Sequence, residues 1–181
     1  MQQSAALVAV LAAAVLLAGC DDARSPEASS SAAAVTSPPA VTGLDPCLVG
    51  SWRSTGISGS LTIGTAKIPV SGGAGELLTI SASGTIRTDE GSTAQVSGAS
   101  PDGTQYVLRQ TGVATGQVTG SGGRISVTLD QPTSLTVTLL RNGTQVQSQH
   151  PGSASDTYAC LKTSSLTITG GGGTVTTYTP G

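Results

Sequence analysis

Ser134-Leu135-Thr136-Val137-Thr138-Leu139-Leu140-Arg141, then Asn142-Gly143, then Thr144-Gln145-Val146-Gln147-Ser148 is the stretch that decides the fold. β-branched and aliphatic residues alternate with polar ones on either side of Asn-Gly. Both residues of that pair tolerate positive φ, which makes it the strongest two-residue signal for a hairpin. A two-residue loop sets Leu140 opposite Gln145 and Leu139 opposite Val146. Leu135, Val137, Leu139 and Val146 then share one face, so register and burial agree.

The same test works along the chain. Ala82-Ser83-Gly84 suits a three-residue loop with Gly84 left-handed, which pairs Ile80 with Ile86 and keeps Leu78 on their face. Pro101-Asp102-Gly103 pairs Val96 with Leu108 and sets Tyr106 over the bare backbone of Gly98. Gly122-Gly123 pairs Val118 with Val127, with Ile125 and Leu129 on that face. Gly171-Gly172 pairs Ile168 with Val175. No stretch sustains a helical period, and Thr, Val and Ile favour strands. The expected fold is all-β, an antiparallel up-and-down β-barrel, with a two-sheet β-sandwich as the alternative.

Upstream, the composition changes. Ala5 to Leu17 is apolar and uncharged, and far shorter than the roughly 20 residues of a membrane-spanning helix. It reads as a secretory signal ending in Leu17-Ala18-Gly19-Cys20. Those four residues resemble the lipobox of bacterial lipoproteins. The resemblance implies diacylglyceryl attachment to the Cys20 sulfur and cleavage after Gly19. Met1-Gln2-Gln3-Ser4 carries no Lys or Arg, a departure from ordinary signals. Residues 1–19 are thus read as signal and residues 20–44 as lipidated Cys20 with a Ser/Ala/Pro tether. Residues 45–181 are read as the barrel domain. The tether is too polar to offset its ordering entropy and spans roughly 25–30 Å. Two acyl chains at Cys20 would hold the chain on the outer face of the cell membrane.

Two cysteines remain in an exported chain, Cys47 and Cys160, and pairing is expected. Their Cα atoms must then lie within about 7 Å, which joining the first strand to the last would supply. Cys47-Leu48-Val49-Gly50-Ser51-Trp52 also places G-x-W at the first strand. That motif resembles the first-strand motif of lipocalins and fatty-acid-binding proteins, the calycin group. The domain as a whole resembles lipocalin-like lipoproteins of high-GC Gram-positive bacteria, several of which begin Cys-Leu-x-Gly-x-Trp. The resemblance implies a barrel with Trp52 plugging one end, Gly50 allowing close backbone approach, and a small hydrophobic or lipid ligand. Lipocalins cover that Trp with a basic residue near the last strand, and Thr174 to Gly181 has none.

Residues 45–181 carry Arg53, Lys67, Arg87, Arg109, Arg124, Arg141 and Lys162 against Asp45, Glu76, Asp89, Glu90, Asp102, Asp130 and Asp156. Seven cations against seven anions leave no basic footprint for nucleic acid. There is no Phe to fill a barrel. Val96, Leu108, Val118, Val127, Leu135, Val137 and Leu139 are therefore the expected walls of a ligand cavity. A filled barrel serving structure or protein interaction is the alternative.

The candidate chemistry is thin. His150 sits in Gln149-His150-Pro151-Gly152, and a triad with Asp156 lacks a nucleophile elbow. Asp89 and Glu90 are adjacent, so on a strand they point to opposite faces. Gly170 to Gly173 lacks the Lys-Ser/Thr of a phosphate loop. Tyr106, Tyr158 and Tyr178 are expected in the core or at a girdle. Two lone cysteines do not make a metal site. The expectation is a monomer with no cofactor, no metal, no catalytic residues and no named protein partner.

Substituting Cys20→Ser should abolish incorporation of labelled palmitate and release the protein from the membrane fraction. Label retained in that variant would overturn the assignment of Cys20.

Overall fold

The computed structural model describes residues 43–91, 95–161 and 164–181. The signal, Cys20 and nearly all of the tether lie outside the described residues. The strands are β1 (Gly50–Ile63), β2 (Ala66–Gly72), β3 (Leu77–Ile80), β4 (Thr85–Asp89), β5 (Gln95–Ala99), β6 (Gln105–Thr111) and β7 (Val113–Ser121). They continue as β8 (Arg124–Leu129), β9 (Thr136–Arg141), β10 (Thr144–Gln149), β11 (Ala154–Leu161), β12 (Ser165–Thr169) and β13 (Thr174–Pro180). A single 3-10 turn, Pro46–Leu48, precedes them.

Eight strands close an antiparallel barrel in the cyclic order β1-β13-β12-β11-β8-β7-β4-β3. First and last strands pair, with Trp52 opposite Pro180 and Gly59 opposite Thr174. The remaining strands leave the ring between its members: β2 after β1, β5–β6 after β4, and β9–β10 after β8. They extend one sheet from the far half of β1 in the order β2-β5-β6-β9-β10. A simple meander is therefore interrupted three times, always at the same end of the barrel.

Most of the turn registers are as the sequence dictates. Ile80 faces Ile86, Val96 faces Leu108, Gly98 faces Tyr106, and Val118 faces Val127. Gly98 is also paired with Val70 on its other side, and a Cβ there would collide with the Pro69 carbonyl oxygen. The glycine serves the close approach of β2, not only the Tyr106 ring.

Two registers differ. Leu140 faces Gln145 as expected, but Leu139 faces Gln147, because Val146 is bulged out and 54% exposed. β10 has no outer partner to hold it flat, and a bulge twists and blunts such an edge. In the glycine run, Gly170 and Thr174 bracket a three-residue loop, so Ile168 faces Thr176 instead of Val175. Four consecutive glycines offer no side chain to select between the two loop lengths.

One end of the barrel is plugged by side chains from the start of the chain's described part. Trp52 is buried with Leu48, Val118, Tyr158 and Leu166, and its indole N–H donates to the Leu48 carbonyl at 3.0 Å. Gly50 has φ +148°, which favours glycine, while a Cβ there would only touch the indole at 3.6 Å. Backbone conformation, rather than close approach, is its reason. Cys47 and Cys160 are bonded, with Cα atoms 6.2 Å apart. Tyr158 donates from its hydroxyl to Asp45 at 2.9 Å. Leu44 also belongs to this end: it bridges to Gly120 in β7 and packs on the core.

The bridge closes a loop with a sequence separation of 113. Replacing both cysteines by Ala should cost about 3–5 kcal/mol on the chain-entropy estimate. Trp52→Ala should cost a further loss of about 3–5 kcal/mol. Denaturant midpoints of the two variants check both figures.

Candidate functional site

The half of the barrel away from the plug is not filled. A cavity of about 320 Å³ lies there, between the ring and the extended sheet. Its walls include Val96, Leu108, Val127, Leu135 and Val137. Leu139 instead lines a smaller adjoining space of about 110 Å³ with Leu108 and Val137. Val118 is not at either; it is buried in the cluster around Trp52, because β7 carries it toward the plugged end. The structure thus brings five of the seven expected wall residues to one cavity.

Its polar lining was not anticipated. Glu76, Thr88, Glu90, Gln110 and Tyr178 all face the same space. Glu76 precedes β3 and Glu90 follows β4. The hairpin pairs Ile80 with Ile86, Leu78 with Thr88 and Leu77 with Asp89. One further step sets Glu76 across from Glu90, on the inward face. Both are buried. The signal was present in the alternation Glu76-Leu78-Ile80 and Ile86-Thr88-Glu90. Considering Glu90 only beside Asp89 hid it; Asp89 does point away, to an exposed ion pair with Arg87.

Glu76 is well supplied with donors. Thr88 donates to its Oε1 at 2.9 Å and Tyr178 to its Oε2 at 3.0 Å. Its backbone N–H donates to Ser54 Oγ at 2.9 Å, and Ser54 donates onward to the Gly73 carbonyl. Thr88 also lies near enough to Glu90 to lower its pKa, but its one proton is given to Glu76. The Gln110 amide, with its nitrogen turned inward, donates to both Glu90 oxygens at 3.2 and 3.3 Å.

Burial raises the pKa of both carboxyls. Glu90 is pushed up to about 8, first by burial and then by the charge on Glu76. Tyr178 is held well above its ordinary value by burial and by Glu76, so it remains a donor. Burial disfavours charge on both at once, so near neutral pH the pair retains a proton, and Glu90, with fewer donors, is the member pushed up to about 8.

The other candidates are occupied by backbone. His150 Nδ1 lies 2.8 Å from the Leu135 carbonyl, and donates to it. Asp156 accepts from the Gly171 N–H at 3.2 Å. Neither is hydrogen-bonded to the other. Tyr158 and Tyr178 are core residues, and Tyr106 packs at the edge of the second cluster around Ile68, Val70 and Val96. No group of three or more metal-ligating side chains occurs among the described residues.

No family model, no curated protein and no solved structure matches the chain. The site must be read from its own geometry.

The raised pKa of Glu90 has a consequence for stability. Folded Glu90 keeps its proton to about pH 8, whereas its unperturbed value is 4.5. Between those limits the folded state binds more protons, so stability falls as pH rises and levels off above about 8. At about 1.4 kcal/mol per pKa unit the effect is on the order of a few kcal/mol. The denaturant midpoint should be higher at pH 5 than at pH 8.5, and Glu90→Gln should flatten that slope. An unchanged slope in the variant would place the effect elsewhere.

Proposed function

We propose that the chain is a lipid-anchored lipoprotein on the outer face of the bacterial cell membrane, and that its barrel holds one small, mainly hydrophobic ligand. The observation that carries the binding reading is the unfilled cavity of about 320 Å³. That volume is at the lower end of the range for small-molecule sites, and such sites join apolar walls to a few placed polar groups. The aliphatic residues of β5, β6, β8 and β9 supply the wall, and the Glu76–Glu90 pair supplies the polar end.

Binding suits the site better than catalysis. Glu76 is engaged by Thr88 and Tyr178 and Glu90 by Gln110, and no histidine or cysteine stands in the described lining to relay a proton or attack a substrate. The anchoring part of the reading rests on Leu17-Ala18-Gly19-Cys20 and the polar tether. It is compatible with the path of the chain, which joins the barrel at Leu44 beside Gly120, at the plugged end.

Native mass spectrometry of the full chain, gently extracted from the envelope, should show a mass exceeding that of the processed, lipidated polypeptide by one small adduct. Lipid extracts should raise the Tm of the stripped protein. Only the bare mass, together with no thermal shift from any extract, would overturn the binding reading.

A further inference from the structure

The cavity has a chemical asymmetry that its apolar wall does not explain. Three acids line it, Glu76, Glu90 and Asp156, and among the described residues no Lys, Arg or His does. Glu90 is only 5% exposed, yet its side-chain donors are few: the Gln110 amide and the Thr88 hydroxyl, whose one proton is given to Glu76. A buried carboxyl facing an empty space with so few donors has acceptor capacity to spare.

We propose that the ligand's polar end is a cation, an alkylammonium or amidinium group, seated on the carboxylates of Glu76 and Glu90 with its apolar body along the aliphatic wall. This rests on the cavity being a binding site and names the class of ligand it takes. An ammonium has three donors and no acceptor, which complements two carboxylates. Charge-assisted hydrogen bonds of this kind are about twice as strong as neutral ones. A fatty acid would bring a third negative charge to the same space. A divalent metal would require more oxygen ligands than the pair supplies, and no cluster of three is present among the described residues.

The groups facing Glu90 set the linkage. Glu76 stands before β3, Tyr178 is on β13 and Asp156 is on β11; β1 contributes Ile57 and Leu61, and β6 contributes Leu108 and Gln110. Asp89, on the same strand end, adds to the repulsion. Among the described residues of the lining, none supplies a positive charge. Glu90 therefore holds its proton up to about pH 8. A cation displaces that proton, so binding tightens as pH rises toward 8.

The test uses the full chain carrying Cys20→Ser, produced in an oxidising compartment so that the Cys47–Cys160 bridge forms. The probes are n-octylamine, n-octanol and n-octanoate, followed by titration calorimetry. The amine should bind at least about tenfold tighter than the other two at pH 8. Its affinity should gain up to about tenfold per pH unit between pH 6 and 8, with about one proton released, as one-proton linkage requires. Glu90→Gln keeps the shape of the side chain; it should lose about tenfold or more of amine affinity and the pH dependence. A parallel titration with calcium chloride should give no binding.

Octanol or octanoate binding as tightly as the amine would overturn the cationic head group while leaving the cavity reading in place. So would amine binding indifferent to pH and to Glu90→Gln, or calcium binding lost in that variant. No binding by any organic probe would overturn both.

Discussion

The structure turns on how β1 is shared. Near its start, Gly50 to Arg53 pairs with β3 and closes the ring. Beyond Ile57 the same strand pairs with β2 and begins the extended sheet. The fork between them is held by Ser54, which is buried. Its N–H donates to the Glu76 carbonyl, and its carbonyl accepts from Gly75. Its hydroxyl donates to Gly73 and accepts from the Glu76 N–H. Four bonds at one small side chain and its backbone satisfy groups left over where two ladders part. The pairing of β1 with β13 shifts register at the same place, between Ser54 and Gly56.

That fork also makes the cavity. A strand that changes partners opens a wedge between the ring and the extension, and Glu76 sits in the wedge because its backbone is what Ser54 holds. Its carboxylate must then face inward, where Thr88 and Tyr178 meet it. An acid in that position costs desolvation unless it is bonded or neutral. The site uses both remedies, donors for Glu76 and a retained proton for Glu90. A neutral domain with few charges thus keeps a strongly local acidic spot, invisible in its net charge.

What was legible in the sequence was local. Where a turn contained a residue that fixes its length, as at Asn142-Gly143 or Ala82-Ser83-Gly84, the first pairs beyond it followed. The misreadings come where nothing local decides. Val146 bulges because β10 is an edge, and being an edge is a property of the whole sheet. The Gly170–Gly173 run carries no side chain to choose a register. The three excursions from the ring are pairings between segments distant in sequence, such as Val70 with Gly98. Glu76 and Glu90 were within reach, since the Ile80–Ile86 register carried four residues further brings them together. The cavity between them was not, because its volume depends on where the extended sheet stands.

The two ends of the barrel are built for different tasks. At the plugged end the disulfide, Trp52, and the Tyr158–Asp45 bond converge within a short span of chain. Constraints that fix this end leave the other free to retain unfilled space, since packing lost there is offset by a well-packed base. The chain enters the barrel at the plugged end, where Leu44 bridges to Gly120, and the polar lining of the cavity lies toward the opposite one.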